Sequence, residues 1–252
     1  MKLTSSGRRA VLAASLALLA ALGACGGGGE DDSPSANLQA TWHQVNTRLQ
    51  DISGWNGTLP DGTLIGISGA STAHLQPATT ATLGDKAAIN REVDYTDTLF
   101  NGPTSTTSTY IDQVYSDAGT GSTLAVLHTD GGGTVQSFEV FEVYTLPTAA
   151  HAGDHGRVTT THLYASSTSA DPTGHTVIDY AVAAGSEPHS LQVTYTSRQY
   201  DANNVLQAIE TRIDTLDRNG NVTYTARERK TFATDGTTVT SDVQRNQHVD
   251  VI

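Results

Sequence analysis

Residues 191–216 read LQVTYTSRQYDANNVLQAIETRIDTL, and how they are read decides the fold. Apolar and polar residues alternate on both sides of Asp201-Ala202-Asn203-Asn204, the period-two pattern of a half-buried strand. The same grammar continues: Asp217-Arg218-Asn219-Gly220-Asn221 leads into VTYTARERKTFA (222–233), and Thr234-Asp235-Gly236-Thr237 into TVTSDVQRNQHV (238–249). Asn-Gly and Asp-Gly tolerate the positive φ that tight hairpins need. Strands this long favour a large curled sheet or barrel over a compact sandwich.

Working outward, further strands are expected near 63–68, 106–116, 122–129, 134–146, 157–166 and 175–183. Ile89, Val93, Tyr95 and Leu99 share one face of another. Asp130-Gly131-Gly132-Gly133, Asp171-Pro172-Thr173-Gly174 and Gly185-Ser186-Glu187-Pro188 read as turns. Before the strands, Leu38, Trp42, Val45, Leu49 and Ile52 fall on one helical stripe, with Asn37 as cap and Gly54 beyond the end. The fold class is therefore mainly β: a long-stranded antiparallel meander, curled or barrel-like, with one N-terminal amphipathic helix laid against it.

The two faces of the C-terminal strands differ. Val193, Tyr195, Val205, Ile209, Ile213, Val222, Tyr224, Phe232, Val239 and Val243 are assigned to one apolar side. Arg198, Glu210, Arg212, Asp214, Arg227 and Arg229 are assigned to a solvated side. One helix covers little of such a sheet, so it must curl around its own side chains or enclose a cavity. Val193, Tyr195, Ile209, Ile213, Tyr224 and Phe232 are the expected lining of that cavity, with an apolar small molecule as its cargo. At the level of fold, a curled sheet with helical cover is similar to the lipoprotein-carrier proteins of the periplasm.

The N-terminus says where the protein sits. Lys2, Arg8 and Arg9 precede the apolar run Ala10–Ala24, which is shorter than the roughly 20 residues a membrane span needs. Leu22-Gly23-Ala24-Cys25 resembles the lipobox of bacterial lipoprotein precursors. The resemblance implies cleavage before Cys25 and acylation of its thiol and new amine, giving an anchor that gains about 0.8 kcal/mol per buried methylene. Gly26 after the cysteine implies the outer membrane. Residues 1–24 are thus expected to be a signal peptide, 25–36 a lipidated and flexible Gly-rich acidic tether, and 37–252 one β-rich domain facing the periplasm or the cell surface.

Charge narrows the partners. Removal of residues 1–24 leaves 11 Lys and Arg against 26 Asp and Glu, a formal charge of −15. That opposes nucleic acid and anionic lipid surfaces by electrostatics. The only cysteine is committed to the anchor, so no disulfide is possible. No cofactor is expected. The membrane through Cys25, an apolar small molecule and an envelope protein are the expected partners.

One side-chain cluster suggests chemistry. His151, Asp154 and His155, with His162 or His189 nearby in sequence, supply imidazole and carboxylate ligands suited to zinc. The spacing matches no H-E-x-x-H motif, and Gly153 and Gly156 place the cluster on a loop. Two function classes follow: a non-enzymatic binding or scaffold lipoprotein of the outer membrane, and a metal-dependent envelope enzyme.

Overall fold

Aspartates set the hairpins. Asp117, Asp130, Asp201, Asp217 and Asp235 each stand at the head of a turn and accept two backbone N–H bonds from it. A side chain that satisfies the turn's own donors fixes loop length, and loop length fixes register. The computed structural model describes residues 34–42, 50–101 and 104–248. Between the turns run β1 (Gln50–Thr58), β2 (Leu64–Leu75), β3 (Thr79–Leu83), β4 (Lys86–Asn101), β5 (Thr104–Asp117), β6 (Thr123–Asp130) and β7 (Val135–Phe141). The meander continues through β8 (His155–Tyr164), β9 (Gly174–Ala184), β10 (Leu191–Asp201), β11 (Leu206–Leu216), β12 (Val222–Phe232) and β13 (Val239–His248).

Every neighbouring pair is antiparallel. The sheet closes because β13 returns to pair with β1 (Arg245 opposite Ile52), while β2 pairs with β4 (Ala73 opposite Tyr95). β3 prolongs the line of β2 along β4 after Gln76-Pro77-Ala78, where Pro77 has no N–H to offer the ladder. The result is a closed antiparallel barrel of twelve strands. Closure removes the free edges that would otherwise template aggregation.

Two glycines permit tight approach between the closing strands. A Cβ on Gly54 would lie 2.1 Å from the Asp242 carbonyl oxygen, and one on Gly69 equally close to that of Thr98. Gly54 also holds φ at +134°, which side-chain-bearing residues rarely adopt.

The apolar core fills one end of the barrel. Leu38, Leu146, Ala150, Val158, Ile178, Val182, Leu191, Val193, Tyr195, Leu216 and Val222 cluster there, with Trp42, Phe141 and Tyr144 against them. This end carries the 184–190 and 217–221 turns, the 142–154 loop and a five-residue helix, α1 (Leu38–Trp42). Asn37 accepts the Ala40 N–H as a cap, and Ala36, assigned from sequence to the tether, pairs with Ala150 through both backbone bonds. Leu38 is wholly buried, a contribution of about 2–3 kcal/mol.

Of the proposed helical stripe, Val45 and Leu49 lie outside the described residues, as do the export segment 1–24, Cys25 and most of the tether. Ile52 and Gly54 belong to β1, paired on one side with β13 and on the other with β2. Ile52 satisfies both periods, and two partner strands decide in favour of extension.

Candidate functional site: the barrel lumen

Register fixes which side chains point inward. Tyr195 on β10 stands opposite Arg212 on β11, Arg212 opposite Arg227 on β12, and Arg227 opposite Arg245 on β13. Residues directly opposite share a face. Tyr195 is buried in the core, so this whole row faces the interior. Three guanidinium groups thus sit side by side on adjacent strands, an arrangement that like-charge repulsion disfavours unless anions offset it.

The offsets are uneven. Arg212 reaches Asp214 at 2.6 Å, and Asp214 is fully buried and also accepts Thr225 Oγ1 at 2.9 Å. Arg245 Nη2 lies 3.0 Å from Asp97 Oδ2. Glu210 alone serves both Arg229, at 3.4 Å, and Arg227, at 4.0 Å. Arg229 also donates to Gln199 Oε1 at 3.0 Å, whereas the buried Nε of Arg227 has no hydrogen-bond partner.

The facing wall comes from β4 to β8. His128 Nδ1 lies 2.7 Å from Asp112 Oδ1 and its Nε2 3.8 Å from Glu139 Oε2, while Thr161 Oγ1 donates to Glu139 Oε1. Burial pulls the His128 pKa down, but the two carboxylates more than offset it and raise the value to about 9. His128 is therefore an imidazolium at neutral pH. Tyr95 and Tyr110 stack with ring centroids 4.6 Å apart. Burial pushes the Tyr95 phenol up to about 12 and raises that of Tyr110 as well, so both stay protonated hydrogen-bond donors.

Between these walls the barrel is hollow. A cavity of about 600 Å³ is lined by Trp42, Tyr95, Tyr110, Asp112, His128 and the four arginines, among others. A second, of about 470 Å³, shares Trp42, Asp112, His128, Glu210, Arg227 and Arg229 with it and extends to Glu139, Ser197 and Gln199. The two are parts of one lumen. Its floor is α1: Trp42 packs on Tyr195 at 4.9 Å, Thr41 Oγ1 meets the Tyr195 hydroxyl at 3.2 Å, and Arg212 donates to the Thr41 carbonyl at 3.1 Å. Arg212 also lies 5.5 Å over the Tyr195 ring, so one guanidinium ties floor to wall. A separate surface cleft of about 550 Å³, among the turns at the plugged end, holds His151 and His189 but no part of this polar network.

The expected apolar lining is corrected by the register. Val193 and Tyr195 do face inward and are buried. Ile209, Ile213, Tyr224 and Phe232 do not: Ile213 is opposite Thr194 and Ala226, Ile209 is opposite Arg198 and Lys230, and Thr215 is opposite Tyr224, all on the outer surface. Phe232 stands opposite Val239 past a register shift, out of step with the inward pair Thr231 and Ser241. Glu210, Arg212, Asp214, Arg227 and Arg229, assigned from sequence to the solvated side, are the interior. Arg198 is outside as assigned, paired with Asp179 at 2.9 Å beside Arg157. In a hydrated lumen both faces of a strand are polar environments, so hydropathy does not identify the inner one.

The histidine cluster does not converge. Asp154 accepts the His151 backbone N–H, His155 Nδ1 lies against the Gly153 carbonyl, and His162 pairs with Glu142 on the outer surface. Among the described residues, no group of three His, Cys, Asp or Glu side chains is placed to hold a metal ion. The residues that sequence reasoning missed are His128, Asp112, Glu139, Tyr95, Tyr110 and Arg245. They lie on β4 to β7 and β13, where no charge pattern singles them out; the signal for the lumen was the alternation of Glu210, Arg212 and Asp214 on β11, which register sets on the face of Val193 and Tyr195.

No protein-family model, curated protein or solved structure matches this chain.

Proposed function

We propose that this protein is a lipid-anchored lipoprotein of the bacterial outer membrane whose barrel is a non-enzymatic binding domain for a small polar molecule. The observation that carries the reading is the lumen itself. Close packing is the rule for protein interiors, and the larger antiparallel barrels that depart from it enclose ligand cavities or channels. The polar lining favours a polar cargo over the apolar one expected from sequence. The outer surface, with Arg157, Asp179, Arg198, Glu228 and Lys230 on neighbouring strands, suits water rather than lipid, because a barrel that crosses a membrane turns an apolar band outward. Attachment then falls to Cys25, whose acylation the lipobox resemblance implies.

Two measurements test the reading. Radiolabelled palmitate should appear on the wild-type chain and not on Cys25→Ser; an unlabelled wild type removes the anchor. In a soluble Cys25→Ser, Trp55→Phe variant, Trp42 is the remaining tryptophan. Acrylamide should quench its fluorescence as readily in the folded protein as a small neutral solute with access allows, and a shielded Trp42 would mean a closed, filled interior.

A further inference from the structure

Resting on that reading, the unequal pairing of the arginine row says what part of a ligand the lumen would hold. The lumen as a whole is close to charge balance, so the question is where the imbalance lies. Asp97 is taken by Arg245, Asp214 by Arg212, and Asp112 and Glu139 by His128. Arg227 and Arg229 are left with one carboxylate between them, and the closer of its contacts goes to Arg229. Arg227 is the middle member of the three-arginine row, with Arg212 and Arg245 on either side. It has the longest ion pair of the row, and its buried Nε, like that of Arg245, has no acceptor. A buried donor left unmade is costly, more so on a charged group, and an acceptor entering the cavity removes that cost.

We propose that Arg227, with Arg229, binds the single oxyanion group of a small organic ligand, and that Tyr95 and Tyr110 form the opposite face of that subsite. Arg227 and Arg229 both line the junction of the two cavities, so the group is reached from the lumen. Tyr95 and Tyr110 line the same cavity as Arg227, Arg229 and Arg245, from β4 and β5 rather than from the strands that carry the row. Neither phenol has a hydrogen-bond acceptor within the described residues, and each supplies an O–H donor and an aromatic face.

The far wall limits the ligand's charge. Asp112 and Glu139 carry two negative charges against one on His128, so a second or third anionic group would meet net negative potential. A singly charged carboxylate or phosphodiester attached to a planar or polar body fits both walls. A citrate-like multivalent anion does not.

Titration calorimetry on soluble Cys25→Ser protein at low salt tests this with benzoate, its neutral counterpart benzamide, dimethyl phosphate and citrate. Saturable binding of benzoate or dimethyl phosphate is expected, at least tenfold tighter than benzamide and citrate. Benzoate alone identifies a carboxylate subsite and dimethyl phosphate alone a phosphodiester subsite. Arg227→Gln should weaken the anion at least tenfold, while Arg198→Gln on the outer surface leaves it unchanged. A thermal melt and far-UV circular dichroism of both variants establish that they are folded, and Arg227→Lys, which keeps the charge, should retain part of the affinity. Benzamide binding as tightly as benzoate, or Arg227→Gln binding as wild type does, overturns the oxyanion subsite and leaves a polar-ligand lumen standing. If none of the four solutes binds while acrylamide still reaches Trp42, the oxyanion subsite is overturned. If acrylamide is also excluded, the binding lumen falls with it.

Discussion

His128 is a cation because of where its two ring nitrogens lie, between Asp112 and Glu139. Its raised pKa means the folded state binds the proton more tightly than the unfolded chain. The stabilisation is therefore complete below about pH 6.5 and is lost as pH rises toward 9. Relative to His128→Gln, the wild type should lose on the order of 2 kcal/mol across that window, after allowing for solvent screening at a partly exposed ring. Urea denaturation at pH 6 and pH 9.5 measures it, and a constant difference between the two proteins contradicts the pairing. Asp214 carries more. It is buried outright between Arg212 and Thr225, so Asp214→Ala should cost about 3–5 kcal/mol by stranding the Arg212 charge. Because Arg212 also holds the Thr41 carbonyl, the same variant should expose Trp42, seen as a red-shifted emission.

Hairpins are the element that the sequence states most openly. Asp217-Arg218-Asn219-Gly220-Asn221 announces its turn by chemistry: the carboxylate takes the N–H groups of Asn219 and Asn221, and Gly220 adopts φ of +80°. Asp235 does the same for Thr237 and Thr238, and the Thr238 hydroxyl, with those two backbone bonds, holds its pKa down at about 2. A depressed folded pKa gives stability that is present above the ordinary value of 3.8 and lost as pH falls through about 2. Asp235→Asn should accordingly flatten the acid limb between pH 4 and pH 2, read as the shift in urea midpoint. Gly54 and Gly69 are the opposite case, since nothing near them in sequence demands glycine. The demand comes from Asp242 and Thr98 on other strands, visible only once the barrel closes. Gly69→Ala should lower the thermal midpoint far more than Gly66→Ala on the same strand, where an added Cβ meets nothing.

At the scale of the molecule, the long strands and their turns made a curled or closed sheet legible, because every run from 191 to 248 obeys period two. The direction of curling was not. Ile209 and Ile213 alternate with Glu210, Arg212 and Asp214, and hydropathy alone puts the isoleucines inside. Closure around water reverses that choice, and the information lies in Tyr195 and Val193, which share a face with the charges through register. Ile52 was assigned to the helix for a related reason: it fits the stripe, but β13 and β2 claim it from both sides. The central claim is that the charged face encloses a hollow. Ser197 lines the lumen and Thr196, its neighbour on β10, faces outward. In a Cys25→Ser background, Thr196→Cys and Ser197→Cys each carry one thiol, offered in turn to a small methanethiosulfonate reagent and to a bulky polymer maleimide. The small reagent should modify both and the polymer only Thr196→Cys. Equal reaction of both thiols with the polymer, or a Ser197→Cys thiol that resists even the small reagent, would contradict the hollow barrel.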